Sequence, residues 1–221
     1  MFVAIISSAQ SKRSGWIKTA TGCKVLDVYA QSDKSVTWTG GCDYGFASGE
    51  GTLTWQFSPN SMSRYEGNMK AGAPSGKGTY YFWNGVVEEG TYELGGLNGP
   101  GKSFLMEEGR KKYLYEGEFR NGLRHGEGFE VWFHPNGDTA NYYQGKFADN
   151  AKTGSARQIE YNGSSRAMII EGSCKDGAFF GDVRIWFFRQ GKQIDYYEGS
   201  YGRYTSDGTL RNGYAMEIMT Q

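Results

Sequence analysis

At 221 residues, with 34 glycines, only four prolines and 16% aromatic side chains, the chain has material for one large domain whose core is built from rings and whose path is broken by tight turns. Its 24 lysines and arginines are matched by 24 aspartates and glutamates, which excludes the positive footprint of a nucleic-acid binder and weakens attraction to an anionic membrane. His125 and His134 are too few and too poorly accompanied for a metal centre, the Arg110-Lys111-Lys112 run reads as a solvated loop, and nothing implies a cofactor.

In chain order, Phe2-Val3-Ala4-Ile5-Ile6 is apolar and Ser7-Ser8-Ala9 supplies the small residues that signal cleavage prefers. Residues 1–15 are therefore expected to be a signal-peptide remnant or a disordered N-terminus. That makes the protein exported, in the periplasm or cell envelope, the alternative being a frayed apolar start in a cytoplasmic protein. Residues 16–37 form a cap segment and 38–221 a repeat array. Cys23 in the cap and Cys42 in the first repeat either close a disulfide in an oxidising compartment or remain reduced core thiols.

The array is marked by the lead glycines Gly40, Gly67, Gly90, Gly117, Gly145, Gly172 and Gly199, which recur at a nearly even step. Glycine stands again at +5, +9 and +11 behind each lead in the first four repeats. The comb decays later, through Asn150, Ala156, Val183, Tyr204 and Leu210, while +9 stays glycine and is the stricter position. In the fourth repeat, Tyr115, Gly117 and Phe119 alternate with Glu116, Glu118 and Arg120. Asn121-Gly122 supplies a turn, and Phe129, Val131 and Phe133 follow beyond Gly128, so the repeat reads as a β-hairpin. Position +2 (Cys42, Met69, Tyr92, Phe119, Phe147, Cys174, Tyr201) carries no charge and is expected to be core. Apolar pairs at +14 and +16, such as Tyr81 with Trp83 and Trp186 with Phe188, are expected to form a second buried stripe. At +15, Trp55, Phe82, Trp132 and Phe187 either fill a two-sided core or project as a binding surface.

Tyr115-Glu116-Gly117-Glu118-Phe119 with Asn121-Gly122 and Gly126-Glu127-Gly128 resembles the MORN (membrane occupation and recognition nexus) repeat, as do Tyr65-Glu66-Gly67 with Gly76-Lys77-Gly78 and Tyr197-Glu198-Gly199. The resemblance runs from about Trp38 to Gly213. It implies an all-β, elongated, twisted antiparallel sheet of about seven successive hairpins. It further implies a scaffold, dimerisation or targeting role without chemistry, with lipid as a partner by analogy. The segment around Cys23, Val36–Cys42 and Ala47–Trp55 is similar to the entry segment of bacterial, often exported, MORN proteins.

Catalysis is not expected. The Gly-x-Gly pairs belong to the comb and precede no helix, and Glu88-Glu89 and Glu107-Glu108 point to opposite faces of a strand. The expected function is a non-catalytic scaffold or protein-interaction module, with a protein partner or self-association and no small-molecule substrate. The alternative is a lipid- or polysaccharide-binding module, and an enzyme comes last.

Overall fold

A computed structural model describes residues 15–28 and 34–201, and every regular element in them is a β-strand. The apolar N-terminal run, Tyr204 and Leu210 lie outside the described residues. The chain divides into two compact units, one reaching Gly109 and including 118–123, the other made of 110–117 and the residues from Arg124 on. The first unit holds β1 (Gly15–Lys18), β2 (Lys24–Asp27), β3 (Ser35–Trp38), β4 (Gly41–Asp43), β5 (Phe46–Ser58), β6 (Ser61–Lys70), β7 (Ala73–Tyr81), β8 (Val86–Glu93) and β9 (Gly96–Glu107). From β5 to β9 each strand pairs antiparallel with the next, and β3 and β4 both pair with β5. The second unit holds most of β10 (Arg110–Arg120) and of β11 (Leu123–Phe133), then β12 (Thr139–Ala148), β13 (Ala151–Asn162), β14 (Ser165–Lys175), β15 (Ala178–Arg189) and β16 (Lys192–Tyr201). From β11 to β16 each again pairs antiparallel with its successor. The expected all-β succession of hairpins is what the chain adopts.

The comb has a mechanical origin. The lead position and position +11 stand opposite one another across the strands, as a row Gly51, Gly67, Gly78, Gly90 and Gly101 in the first unit. Over this row lies the tyrosine at −2 from the lead. A Cβ on Gly67 would come within 2.6 Å of the Tyr65 hydroxyl and 2.7 Å of the Gly78 Cα, so neither position admits a side chain beneath that ring. Tyr65 is fully buried and its hydroxyl donates to the Asn68 carbonyl at 3.0 Å; its edge meets Tyr92, at +2 of the next repeat, at 5.2 Å. Tyr115 meets Phe147 at 5.0 Å in the same way. At these two junctions a repeat thus caps its predecessor with a ring pair, which is how a thin sheet acquires a core. In the sixth repeat Ile170 replaces the tyrosine, and Val183 at +11 fills the space instead, its Cγ1 lying 2.7 Å from where a Cβ on Gly172 would be. That substitution pair accounts for the branched residue in the comb.

The +9 glycine has a different task. Gly49, Gly76, Gly99, Gly126, Gly154 and Gly181 all have φ between 62° and 80°. The strand register shifts beside Gly76, Gly99, Gly154 and Gly181. They are bulge residues in a left-handed conformation that a Cβ disfavours. The hairpin register also corrects the expected second stripe. The two-residue turn sets +2 opposite +7, and the bulge adds two residues so that the lead faces +11; odd offsets of the returning strand therefore share a face with even offsets of the outgoing one. The buried positions are therefore +7 and +13, such as Leu97, Leu53, Tyr80 and Ile185, and Trp83 at +16 is 63% exposed. Position +2 is buried at Met69, Tyr92, Phe119, Phe147 and Cys174, but Cys42 is exposed. There the chain breaks at Gly40 into two short strands, with the Trp38 indole donating to the Gly41 carbonyl, and Cys42 forms a disulfide with buried Cys23. Thiol titration of unreduced, denatured protein is expected to find one thiol, Cys174, and not three.

At the described turns, positions +4 and +5 both have positive φ, the pattern of a type I′ turn, and Asn150 takes the +5 place with φ 74° where the other five have glycine. The turns are tied to one another, since the +5 amide donates to the +7 carbonyl of the preceding repeat, as in Gly95 to Pro74 (3.1 Å) and Asn150 to Arg124 (3.0 Å). Lys24 and Leu26 of the cap extend this line by donating to the Gly45 and Gly72 carbonyls. Two turns carry a conflict: Tyr44 (φ 47°) and Leu94 (φ 49°) are bulky residues in left-handed conformation, 94% and 84% exposed, where the fourth repeat has Asn121. Leu94→Asn is expected to raise stability by about 1 kcal/mol, because asparagine tolerates that conformation and no packing is lost. Urea unfolding checks it.

Candidate functional site

Two faces of the sheet follow from this register. The tyrosines, with positions +2, +7 and +13, occupy one. On the opposite face of the second unit, the −3 and +14 positions align as a cross-strand row, Val131, Tyr142, Ile159, Ile169, Trp186 and Tyr196, with one side chain from each of six consecutive strands. Val131 and Ile169 are buried in the row, and the other four are half-buried. Phe129 stacks on Tyr142 (5.8 Å, 27°) and Trp186 meets Tyr196 at 5.4 Å.

Beside this ladder runs a polar row, Gln144, Arg157, Glu171, Arg184 and Glu198, in register on the same face. Arg157 and Arg184 both approach Glu171, at 3.6 and 3.7 Å, with Arg184 also 5.9 Å from the Trp186 ring centre. The Tyr142 hydroxyl lies 3.2 Å from Gln144 Oε1, and the Tyr196 hydroxyl donates to Glu198 at 2.7 Å, which pushes its own ionisation up. The surface is thus an apolar ribbon edged by donors and acceptors of balanced charge.

The residues singled out at +15 lie on the tyrosine face. Trp55 is buried against Tyr80 at 5.6 Å, and half-buried Phe82 stacks on the same ring at 4.2 Å. Trp132 is half-buried beside Tyr113 at 4.6 Å. Phe187 is half-buried and shares a cross-strand row with Trp132, but Asn141, Glu160 and Met168 stand between them. The structure brings Trp55 and Phe82 together on one ring and leaves Trp132 and Phe187 apart. The ladder at −3 and +14 was signalled by the apolar +14 column, which the spacing alone assigned to the wrong face.

A second cluster lies in the tyrosine face of the same unit. Position +7, apolar at Ala47, Pro74, Leu97 and Phe179, is Arg124 in the fourth repeat and Lys152 in the fifth, and +13 of the fourth is Glu130. Glu130 is 5% exposed. Arg124 Nη1 donates to Glu130 Oε2 (2.9 Å) and to the Tyr113 hydroxyl (2.7 Å), and Lys152 Nζ lies 2.5 Å from Glu130 Oε1. Arg124 Nη2 and Nε reach the Asn150 carbonyl and side chain, at 2.8 and 3.4 Å. Burial pushes the Tyr113 phenol far up, and the Glu130 charge adds to it. Cys174 is buried beside Tyr143; burial raises its thiol, partly offset by the Tyr143 hydroxyl and Lys152, so it is poorly disposed to act as a nucleophile. No group of three or more His, Cys, Asp or Glu among the described residues could hold a metal ion.

The MORN repeat family model matches residues 65–87 and 115–133. The chain carries MORN repeats. Both matches start at the buried tyrosine, and the two MORN segments are the repeats that combine it with a complete glycine comb. The first and third repeats have Trp38 and Glu88 at that place, while the fifth has lost glycine at +5 and +11. Comparison with curated proteins finds no match. The two MORN segments suggest a repeat and interaction module.

Proposed function

We propose that the protein is a non-catalytic interaction scaffold whose docking surface is the open-face ladder of the second unit, with a protein as its partner. The observation that carries this is the continuity of the apolar row Val131, Tyr142, Ile159, Ile169, Trp186 and Tyr196 on the face opposite the buried tyrosines, where four of the six are half-buried. Aromatic groups on a sheet with a polar border are the composition of protein-binding surfaces. Self-association through this face is the first case to test, because it needs only the protein. Trp186→Ala with Tyr196→Ala is expected to weaken binding by about tenfold or more while leaving the melting temperature nearly unchanged. Sedimentation of wild type and variant over a concentration series, and then against any isolated partner, reads this. Binding that survives the double substitution refutes the surface.

A second reading, a neutral polysaccharide lying along the ladder, is supported by the balanced Arg157-Glu171-Arg184 row, which offers hydroxyl-binding groups without strong net charge. Affinity electrophoresis through gels containing neutral glycans separates it from the first. Lipid attachment has only the family analogy behind it and is tested by sedimentation with anionic liposomes. We also propose that the protein works in an oxidising compartment outside the cytoplasm, a reading supported by the Cys23–Cys42 disulfide.

A further inference from the structure

We propose that Arg124, Glu130 and Lys152 form a register lock that specifies which hairpin packs behind which in the second unit. Repeats built on one pattern face an ambiguity that ordinary domains do not. The hairpins share the lead and bulge glycines, and several present apolar contacts at +7 (Ala47, Pro74, Leu97, Phe179) or +13 (Leu53, Tyr80, Ile185), so each is a plausible neighbour for several others, within one chain or between chains. The charged cluster breaks this degeneracy. Glu130 at +13 of the fourth repeat is sandwiched between Arg124, at +7 of its own hairpin, and Lys152, at +7 of the next. Asn150, in the turn of that next hairpin, binds Arg124 through both its carbonyl and its side chain. Lys152 also sits 4.1 Å from the centre of the Tyr143 ring, and Arg124 5.1 Å from that of Phe147, so both cations are held by the fifth repeat's own rings.

Any other neighbour removes a partner. With the sixth repeat behind the fourth, Glu130 meets Phe179 where Lys152 belongs; with the fifth behind the sixth, Lys152 meets Ile185 where Glu130 belongs. Each mispairing buries a charge without its counterion, a penalty on the order of a hundredfold in population or more. The native pairing itself gains little over an apolar contact of the same size, because desolvation offsets the attraction. The lock therefore acts on specificity and only weakly on stability, as single buried polar residues do in coiled coils.

The test replaces all three charges with residues of the apolar kind that the same chain uses at equivalent positions: Arg124→Leu, Glu130→Ile and Lys152→Phe together. The variant and wild type are unfolded in urea, refolded at several concentrations, and compared by light scattering after size exclusion and by the indole resonances of Trp132 and Trp186. The expected result is a variant that melts no lower than wild type yet refolds with about tenfold more swapped or misassembled species and with multiple indole signals. Lys152→Arg, which keeps the charge, is expected to refold like wild type. A triple variant that refolds to the same species as wild type, with single indole signals, overturns the proposal. So does one that fails to fold, because the cluster would then be a stability element.

Discussion

Replacing Glu88 by glutamine is expected to flatten the pH dependence of the first unit and to stabilise it by on the order of 3 kcal/mol above pH 7, with almost no gain near pH 4. Glu88 stands at the place where Tyr65 and Tyr115 cover their glycine rows, and it is 6% exposed between Tyr80 and Ser103 in the neighbouring strands. The row beneath is covered by other groups, Leu97 over Gly90 and Phe119 over Gly101, so a carboxyl rather than a ring is left in the core. Burial pushes its pKa from 4.5 to about 7. Of the groups around it, Tyr92 donates to the Glu88 carbonyl, and the phenols of Tyr92 and Tyr65 have their own ionisation pushed up by burial. Unfolded chains release the Glu88 proton near 4.5 and folded ones near 7. Between those values the folded state holds more protons, so stability falls as pH rises through the window and levels off above it. The gap between the two pKa values corresponds to about 3 kcal/mol, an upper figure because local opening relieves some of it. Urea midpoints of wild type and Glu88→Gln, measured from pH 4 to 8, should diverge as pH rises. Parallel curves would show that Glu88 titrates in a solvated setting.

How much of this was legible in the residues depends on whether a single position carries its own physical signature. The turns and the strict +9 glycine were readable, since positive φ is a property of one residue and its neighbours. The hairpin succession was readable because the alternation in Tyr115–Arg120 has period two. The face assignment was not. The two-residue turn sets odd offsets of the returning strand against even offsets of the outgoing one, and the +9 bulge adds two residues without changing that, so alternation counted from the lead glycine puts +14 on the wrong face. For that reason Trp186 and Tyr142 were not recognised as a row, while Trp55, left open between a two-sided core and a binding surface, is buried. Cys42 was placed in the core by its offset alone, whereas the break at Gly40 turns it outward to Cys23. The charged cluster escaped because Arg124 and Lys152 sit close to turns, where long cationic side chains are usually solvated; only pairing brings Glu130 between them.

Glu130→Ala is expected to be the most damaging single substitution in the second unit, costing about 3 kcal/mol or more. The carboxylate is the sole anion of its cluster among the described ion pairs, receiving Arg124 at 2.9 Å and Lys152 at 2.5 Å, and alanine removes it without removing either cation. Loss of one partner from a buried pair typically costs about 3–5 kcal/mol, because the remaining charge must be desolvated without compensation. Arg124 and Lys152 keep side-chain exposures of 22% and 21%, so some water reaches them and the cost belongs at the lower end of that range. Alanine also leaves the Tyr113 hydroxyl without its carboxylate acceptor and opens space beside it. Glu130→Gln retains the shape and one acceptor, and should lose roughly half as much. Adding Arg124→Leu and Lys152→Phe to Glu130→Ile is expected to recover the loss, which no account based on lost attraction alone predicts. A urea series on these variants decides: if the triple variant is less stable than Glu130→Ala, the damage comes from lost attraction or packing and not from stranded charge.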